Sequence, residues 1–371
     1  MQAAHSGSAP QGSPQQATQA ISRVLFVGLG GIGQRHLRNL RMLLGESVQV
    51  SAYRVRRELQ TLDDTLQVVP GVDLEREYGV EVCCDIEQAF AVKPDVVFIT
   101  NPSSLHVPIA MRAARHGCHL FIEKPLSHSL AEVSELVALC EQQKLTTCVA
   151  YQLRYHPGFQ RLRELLGAGV LGRVLSVRAE VGEYLPGFHP YEDYRRMYAS
   201  KSELGGGVTL SQIHELDYLC ALFGAPRRVF SMGGHVSSLE VDVDDLSLSL
   251  LEFARSDGSP LFVEVHQDFV QRPAQRSCTI IGERGKLCWS LSARFLEHSD
   301  ESGKVLEHRD FSQFPRNQPF KDELRSFLGC VSRGEPCTPS VREGALSLQV
   351  AVALLESQAQ GVQKQIEAYS L

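Results

Sequence analysis

Long apolar runs are missing from these 371 residues: no stretch approaches the roughly 18 apolar residues that a membrane-crossing helix requires. The first twenty residues, rich in Gln, Ala, Ser, Gly and Pro, hold neither an apolar segment of secretory type nor a twin arginine, so 1–20 reads as a disordered tail. Basic residues never gather into a long run, and 37 Lys and Arg against 43 Asp and Glu leave a formal charge of -6, which argues against a phosphate-tracking surface. The ten cysteines show neither the C-x-x-C pairs of zinc and redox sites nor the dense spacing of a secreted disulfide framework. These absences point to a cytoplasmic protein with no nucleic-acid partner and no membrane partner.

What is present is ordinary core-forming material. Hydrophobic residues make up 43% and charged residues 22%, the balance of a folded protein, and the length exceeds what one core usually serves. From Val24 onward, short apolar runs (Val24 to Val27, Val48 to Tyr53, Asp95 to Thr100, His119 to Ile122, Thr147 to Ala150) alternate with helical spacing at Pro108 to His116 and Leu130 to Cys140. Val96-Val97-Phe98-Ile99 is apolar at every position, as a parallel strand covered on both faces must be. The fold class is therefore α/β: a doubly wound parallel sheet over 21–150, followed over 151–371 by an α+β domain. Four alternating segments between Asp245 and Ser290, joined by turns such as that from Arg255 to Ser259, predict an open, mainly antiparallel sheet there. Helical patterns return at Pro319 to Leu328 and Gly344 to Glu356.

Gly28-Leu29-Gly30-Gly31-Ile32-Gly33 sets G-x-G-x-x-G directly after a predicted strand and at the opening of a predicted helix. In that context the spacing fits a dinucleotide site. Gly28 permits the tight turn, Gly30 lets backbone approach a pyrophosphate and Gly33 lets the helix pack on the strand, while the helix N-terminus offers free N–H groups. The second strand of such a fold normally ends in an acid that meets the ribose of NAD; here Ala52-Tyr53-Arg54 ends in an arginine suited to a 2'-phosphate. The cofactor is NADP or NAD, with the lean toward NADP.

Farther on, Phe121-Ile122-Glu123-Lys124-Pro125-Leu126 closes a predicted strand, Thr100-Asn101-Pro102 with His106 follows another, Tyr151 to Pro157 stands at the junction, and Gly205-Gly206-Gly207 leads to His214 and Asp217. Together, and in this order along nearly the whole chain, they resemble the glucose-fructose oxidoreductase, inositol dehydrogenase and MocA (Gfo/Idh/MocA) family. The resemblance implies a Rossmann fold followed by a domain whose open sheet commonly forms a homodimer or homotetramer interface. It also implies that Thr100, Asn101, Pro102, His106, Glu123 and Lys124 join the glycine turn at the cofactor, where Lys124 would face the nicotinamide, and that the substrate is of carbohydrate type.

Lys124 lies at the carboxyl edge of a strand, where open α/β sheets bind ligands, and its ammonium suits hydrogen bonding to a reacting hydroxyl or carbonyl oxygen. His214 is the candidate general base. Were the chain helical from Val208, Ser211 and His214 would share a face. Many relatives implied by the resemblance carry an aspartate where Ser211 stands; a serine hydroxyl can orient the imidazole but cannot raise its pKa. Glu215, Asp217 or a residue of another loop could take that role. Arg154 and Tyr155 are placed in the same cleft, Arg154 either gripping an anionic group or bridging the domains. The segment Tyr184 to Tyr198, with Tyr184, His189 and Tyr194, reads either as a sugar-binding loop or as a structural one. His116-Gly117-Cys118-His119 straddles a helix end and a strand start, so no metal is expected.

Three functions follow, in order. The first is hydride transfer between a nicotinamide and a hydroxyl or keto carbon of a sugar, nucleotide-sugar or cyclitol, with Lys124 and His214 as acid/base groups. The second is glycoside hydrolysis through transient use of bound NAD. The third is a non-catalytic dinucleotide-binding regulator, motivated by Ser211 and opposed by Lys124.

Overall fold

The computed structural model describes residues 20–55, 60–63, 65–189, 191–255 and 257–367. All but the last residue of the expected tail at 1–20 lies outside them. The first sheet takes β1 (Arg23–Val27), β2 (Gln49–Tyr53), β3 (Val80–Cys83), β4 (Val96–Ile99), β5 (His119–Ile122) and β6 (Thr147–Val149), ordered β3-β2-β1-β4-β5-β6. All neighbouring pairs are parallel. This is the doubly wound order whose reversal between β1 and β4 opens a crevice at the strands' carboxyl ends. Residues of β4 and β5 are buried throughout, which is why they read as unbroken apolar runs.

Helices α1 (Gly31–Leu44), α2 (Leu74–Tyr78), α3 (Ile86–Ala91), α4 (His106–Arg115) and α5 (Val133–Gln142) connect these strands. Gly117, at φ 75°, follows α4 and ends it as expected. Strand β3 and the helices α2 and α3 are too short to have left a periodic signal.

The second half opens with α6 (Pro157–Gly167), then β7 (Val174–Gly182), α7 (Val208–Ser211), α8 (His214–Phe223) and β8 (Arg228–Gly234). There follow β9 (Leu246–Ala254), β10 (Pro260–Asp268), β11 (Gln275–Gly282), β12 (Gly285–Ser290), β13 (Phe295–Ser299) and β14 (Val305–Asp310). With the short β15 (Lys364–Gln365) they form a nine-stranded sheet, β14-β13-β12-β11-β7-β10-β9-β8-β15, in which only β7 and β10 run parallel. Its inner face packs on the helices. Its outer face exposes Met232, Leu248, Leu250, Phe262 and Ile281.

The last two helices, α9 (Gln318–Arg333) and α10 (Val341–Gln360), return to the first sheet. Leu324, Phe327, Leu328 and Val331 of α9 join one core with Val24, Phe26, Phe98 and Phe121. Helix α10 supplies Val341, Ala345 and Leu348 to the core on the other side, shared with Val149 and with the second sheet's Val263 and Val265. An amphipathic stripe reveals that a helix is buried but not against which partner. Thus a chain segment read as part of the second unit also covers the first.

Candidate active site

The glycine turn meets the geometric demands of a dinucleotide cradle. Gly28 has φ 96°, and a Cβ on it would stand 2.9 Å from the Asn101 backbone nitrogen. A Cβ on Gly33 would stand 2.7 Å from the Gly28 carbonyl and 2.8 Å from the Thr100 Oγ1, so the helix closes on the strand only because glycine is there. Gly30 has nothing within 4 Å, which leaves space beside the backbone. Helix α1 has no side-chain cap and no acid in its first turn, so its N–H groups and partial positive charge remain free for an anion. Gly31 and Ile32 are half-buried at that turn. These features fit a bound pyrophosphate.

The β4 and β5 ends complete this wall. Thr100 Oγ1 donates to the Gly28 carbonyl at 2.7 Å, bracing the turn, and Asn101 keeps a buried Oδ1 without a protein partner. Pro102 leads into a short helical turn whose Ser103 hydroxyl donates to the Gly205 carbonyl at 3.0 Å, joining the two halves. His106 is buried with its ring nitrogens 2.9 Å and 2.8 Å from the Pro125 and Asn101 carbonyls, so it links the two loops from behind. Glu123 also turns inward, 2.6 Å from His36 Nε2. Burial pushes the Glu123 carboxyl up, but the His36 hydrogen bond and the neighbouring charges outweigh it and hold the group below its usual range. His106 and Glu123 therefore brace this wall. His36 has no sequence signal beyond its place on α1.

Lys124 is half-buried, and the peptide that follows it is cis. Its Nζ donates to the Ser211 carbonyl at 2.8 Å, which brings the β5 end to the opposing wall. The expected single helix from Val208 is broken there: α7 ends at Ser211, Gln212 has ψ 36°, and α8 starts at His214. Gln267 of β10 donates to the Gln212 carbonyl at 2.9 Å, and Gln212 donates back to the Asp268 carbonyl at 3.2 Å. Asp244 caps α7 from another loop, accepting from the Thr209 backbone N–H at 3.1 Å and from Thr209 Oγ1 at 2.6 Å. Spacing along one segment cannot reveal anchors that lie this far away in sequence.

His214 is buried, with its Nδ1 unpartnered and the Tyr151 ring edge-on at 5.8 Å. Burial first, then the charges of Lys124 and Arg276, push its pKa well below the ordinary value, so the imidazole is neutral and able to take a proton. The Ser211 hydroxyl is also buried and unpartnered. Neither acid named as a substitute partner serves: Glu215 pairs with Arg276 at 2.7 Å and 2.8 Å, and Asp217 pairs with Arg154 at 2.8 Å and 2.7 Å.

Of the two readings of Arg154, that second pair fits the bridging one. The Arg154 guanidinium holds Asp217 and, at 2.5 Å, Glu343 of α10, so it bridges structural elements. Tyr155 donates to the Thr338 carbonyl at 2.8 Å, which spends its hydroxyl on the fold. In the segment 184–198, the Tyr184 ring lies under Arg272 at 4.0 Å, His189 bonds Glu192 at 2.8 Å, and the Tyr194 hydroxyl accepts from the Glu240 amide at 3.2 Å. At the end of β2, Arg54 forms an ion pair with Glu75. Among the described residues no group of three His, Cys, Asp or Glu side chains stands ready for a metal.

Two family models match in tandem: an oxidoreductase family with an NAD-binding Rossmann fold over 22–151, and the GFO/IDH/MocA C-terminal domain over 159–288. The chain belongs to the Gfo/Idh/MocA oxidoreductase family. It is an NAD-binding oxidoreductase. Myo-inositol 2-dehydrogenase of Thermotoga maritima is 23% identical over 90% of this chain and 96% of its own. D-xylose dehydrogenase of Paenarthrobacter nicotinovorans is 26% identical over 48% of each chain, so this similarity spans about half the relative's length. Among solved structures, levoglucosan dehydrogenase in complex with NADH superposes with a TM-score of 0.78 at 18% identity, covering 93% of this chain and 99% of that one.

Proposed function

We propose that this family member is a dehydrogenase or reductase acting on a hydroxyl or keto carbon of a sugar, nucleotide-sugar or cyclitol. The observation that carries the reading is the convergence of Lys124 and a neutral His214 beside the glycine turn. The nicotinamide, when bound, accepts or supplies the hydride. Lys124 holds the substrate oxygen with a charged hydrogen bond and stabilises negative charge on it. His214 takes the hydroxyl proton in oxidation and returns it in reduction. Relatives and structural neighbours named for cyclitols and sugars support the substrate class.

Dinucleotide choice falls to the Arg54–Glu75 pair. The guanidinium suits a 2'-phosphate, which is the case for NADP, while Glu75 supplies the acid that β2 itself lacks and that would favour NAD. The chain works in the cytoplasm, a reading consistent with ten free cysteines. A second copy covers the outer sheet face, where Leu248, Leu250 and Phe262 alternate with the Arg178–Glu264 and Arg228–Glu252 pairs, a pattern of both charges that can complement itself.

Fluorescence titration with NADH and NADPH, followed by an absorbance screen of inositols, sugars and nucleotide-sugars, tests the assignment. Turnover on such a compound is the expected result. Tight binding with no turnover on any of them would move the protein to the regulator class.

A further inference from the structure

At its N-terminal turn, helix α1 is met by a side chain from the other half of the molecule. The Tyr191 hydroxyl lies 2.5 Å from where a Cβ on Gly31 would stand, with its Cζ at 3.5 Å, so the phenol rests directly on the glycine turn. Among the described residues its hydroxyl makes no hydrogen bond, and Arg35 of the same helix lies close enough to act on it electrostatically. The ring is half-buried and stacks on His189, centroids 5.3 Å apart. Just beyond it the chain is held, because Arg195 pairs with Asp193 and Glu240.

A free phenolic donor placed at an uncapped helix N-terminus has one chemical use there, which is to donate to an anion seated on the same N–H groups. We infer that Tyr191 is a cofactor-binding residue contributed by the second half of the chain, its hydroxyl donating to the dinucleotide pyrophosphate over Gly31. The inference rests on the dinucleotide reading above and adds to it a contact from outside the Rossmann fold. Burial and Glu192 push the phenol above its ordinary pKa, so it stays a neutral donor across the working pH range.

The test compares the full-length protein with its Tyr191→Phe variant, titrated with whichever of NADH and NADPH the wild type binds more tightly, and with ADP-ribose and adenosine as competitors. A hydrogen bond to a charged group predicts roughly tenfold weaker binding of the dinucleotide and of ADP-ribose by the variant. Adenosine, which lacks the pyrophosphate, should compete equally well against both proteins. Equal or tighter dinucleotide binding by the variant overturns the inference and leaves the dinucleotide reading standing, as does an equal loss for adenosine. A wild type that binds neither dinucleotide overturns both.

Discussion

The two walls of the cleft do related work by unlike means. On the glycine-turn wall, chemistry comes mainly from backbone, as N–H groups at a helix end and a carbonyl braced by Thr100, with one working side chain, Lys124, delivered by a strand terminus. On the facing wall it comes from side chains at a helix break, held by Gln267, Asp244 and Arg276 from strands or loops dozens of residues away. A backbone wall tolerates change in what surrounds it as long as its glycines and strand ends persist. A side-chain wall depends on each remote anchor, and it is here that Ser211 stands with its hydroxyl unpartnered.

The sharpest way to break the comparison is Lys124→Ala. Turnover should fall by roughly 10²–10⁴ with dinucleotide affinity nearly unchanged, measured as kcat beside a binding titration. A parallel loss of affinity would mean that Lys124 belongs to the cofactor cradle and not to the chemistry.

Within the backbone wall, two glycines should separate. Gly30→Ala meets nothing within 4 Å and should fold with an unchanged Tm while losing at least about tenfold in dinucleotide affinity. Gly33→Ala drives a methyl to within 2.7 Å of the Gly28 carbonyl and should lower the Tm, at a cost of about 1–3 kcal/mol. Equal melting temperatures for the two variants would remove the distinction.

Ser211→Asp sharpens the facing wall. Because burial, Lys124 and Arg276 depress the His214 pKa, the acid limb of the wild-type rate profile should lie below pH 6.5. A carboxylate beside the imidazole should move that limb upward by about one unit, read from kcat/KM against pH. An unmoved limb would show that His214 does not titrate in the rate-limiting step.

The smallest effect concerns Glu323, buried on α9 with both carboxyl oxygens unpartnered. Burial first, then Glu123, Cys337 and Asp217, raise its pKa well above 4.5. A raised carboxyl pKa contributes stability at pH below the unfolded value, and that contribution is lost as pH rises toward the folded one. Glu323→Gln should therefore raise the Tm by about 1–3 °C near pH 8 and by less near pH 5. The reverse ordering in calorimetry would show the carboxylate to be ionised and satisfied.

The same division explains what was legible in the sequence. The glycine spacing, the apolar strands and the strand-end Lys124 are local patterns, and each maps onto one element of the parallel sheet. The partners of Arg154, Tyr155, Glu123 and His106 are not local. Arg154 reaches Asp217 and Glu343, 63 and 189 positions away, and no motif in its own neighbourhood carries that information. The helix expected to run through Gln212 failed for the same reason, since its competitor is an amide from β10. Tyr191 was visible only as one aromatic in a polar segment until the fold set it on Gly31.

The nine-stranded sheet carries a consequence for how this protein can change over time. Along β9, Ser247, Ser249 and Leu251 face inward and are buried, while Leu248 and Leu250 between them face out and are exposed. Adjacent positions thus meet unlike constraints: one set is fixed by packing and hydrogen bonds within this half of the molecule, the other only by what lies against the outer face. Substitutions confined to Leu248 and Leu250 would therefore change what the sheet can associate with while leaving the packing behind it in place.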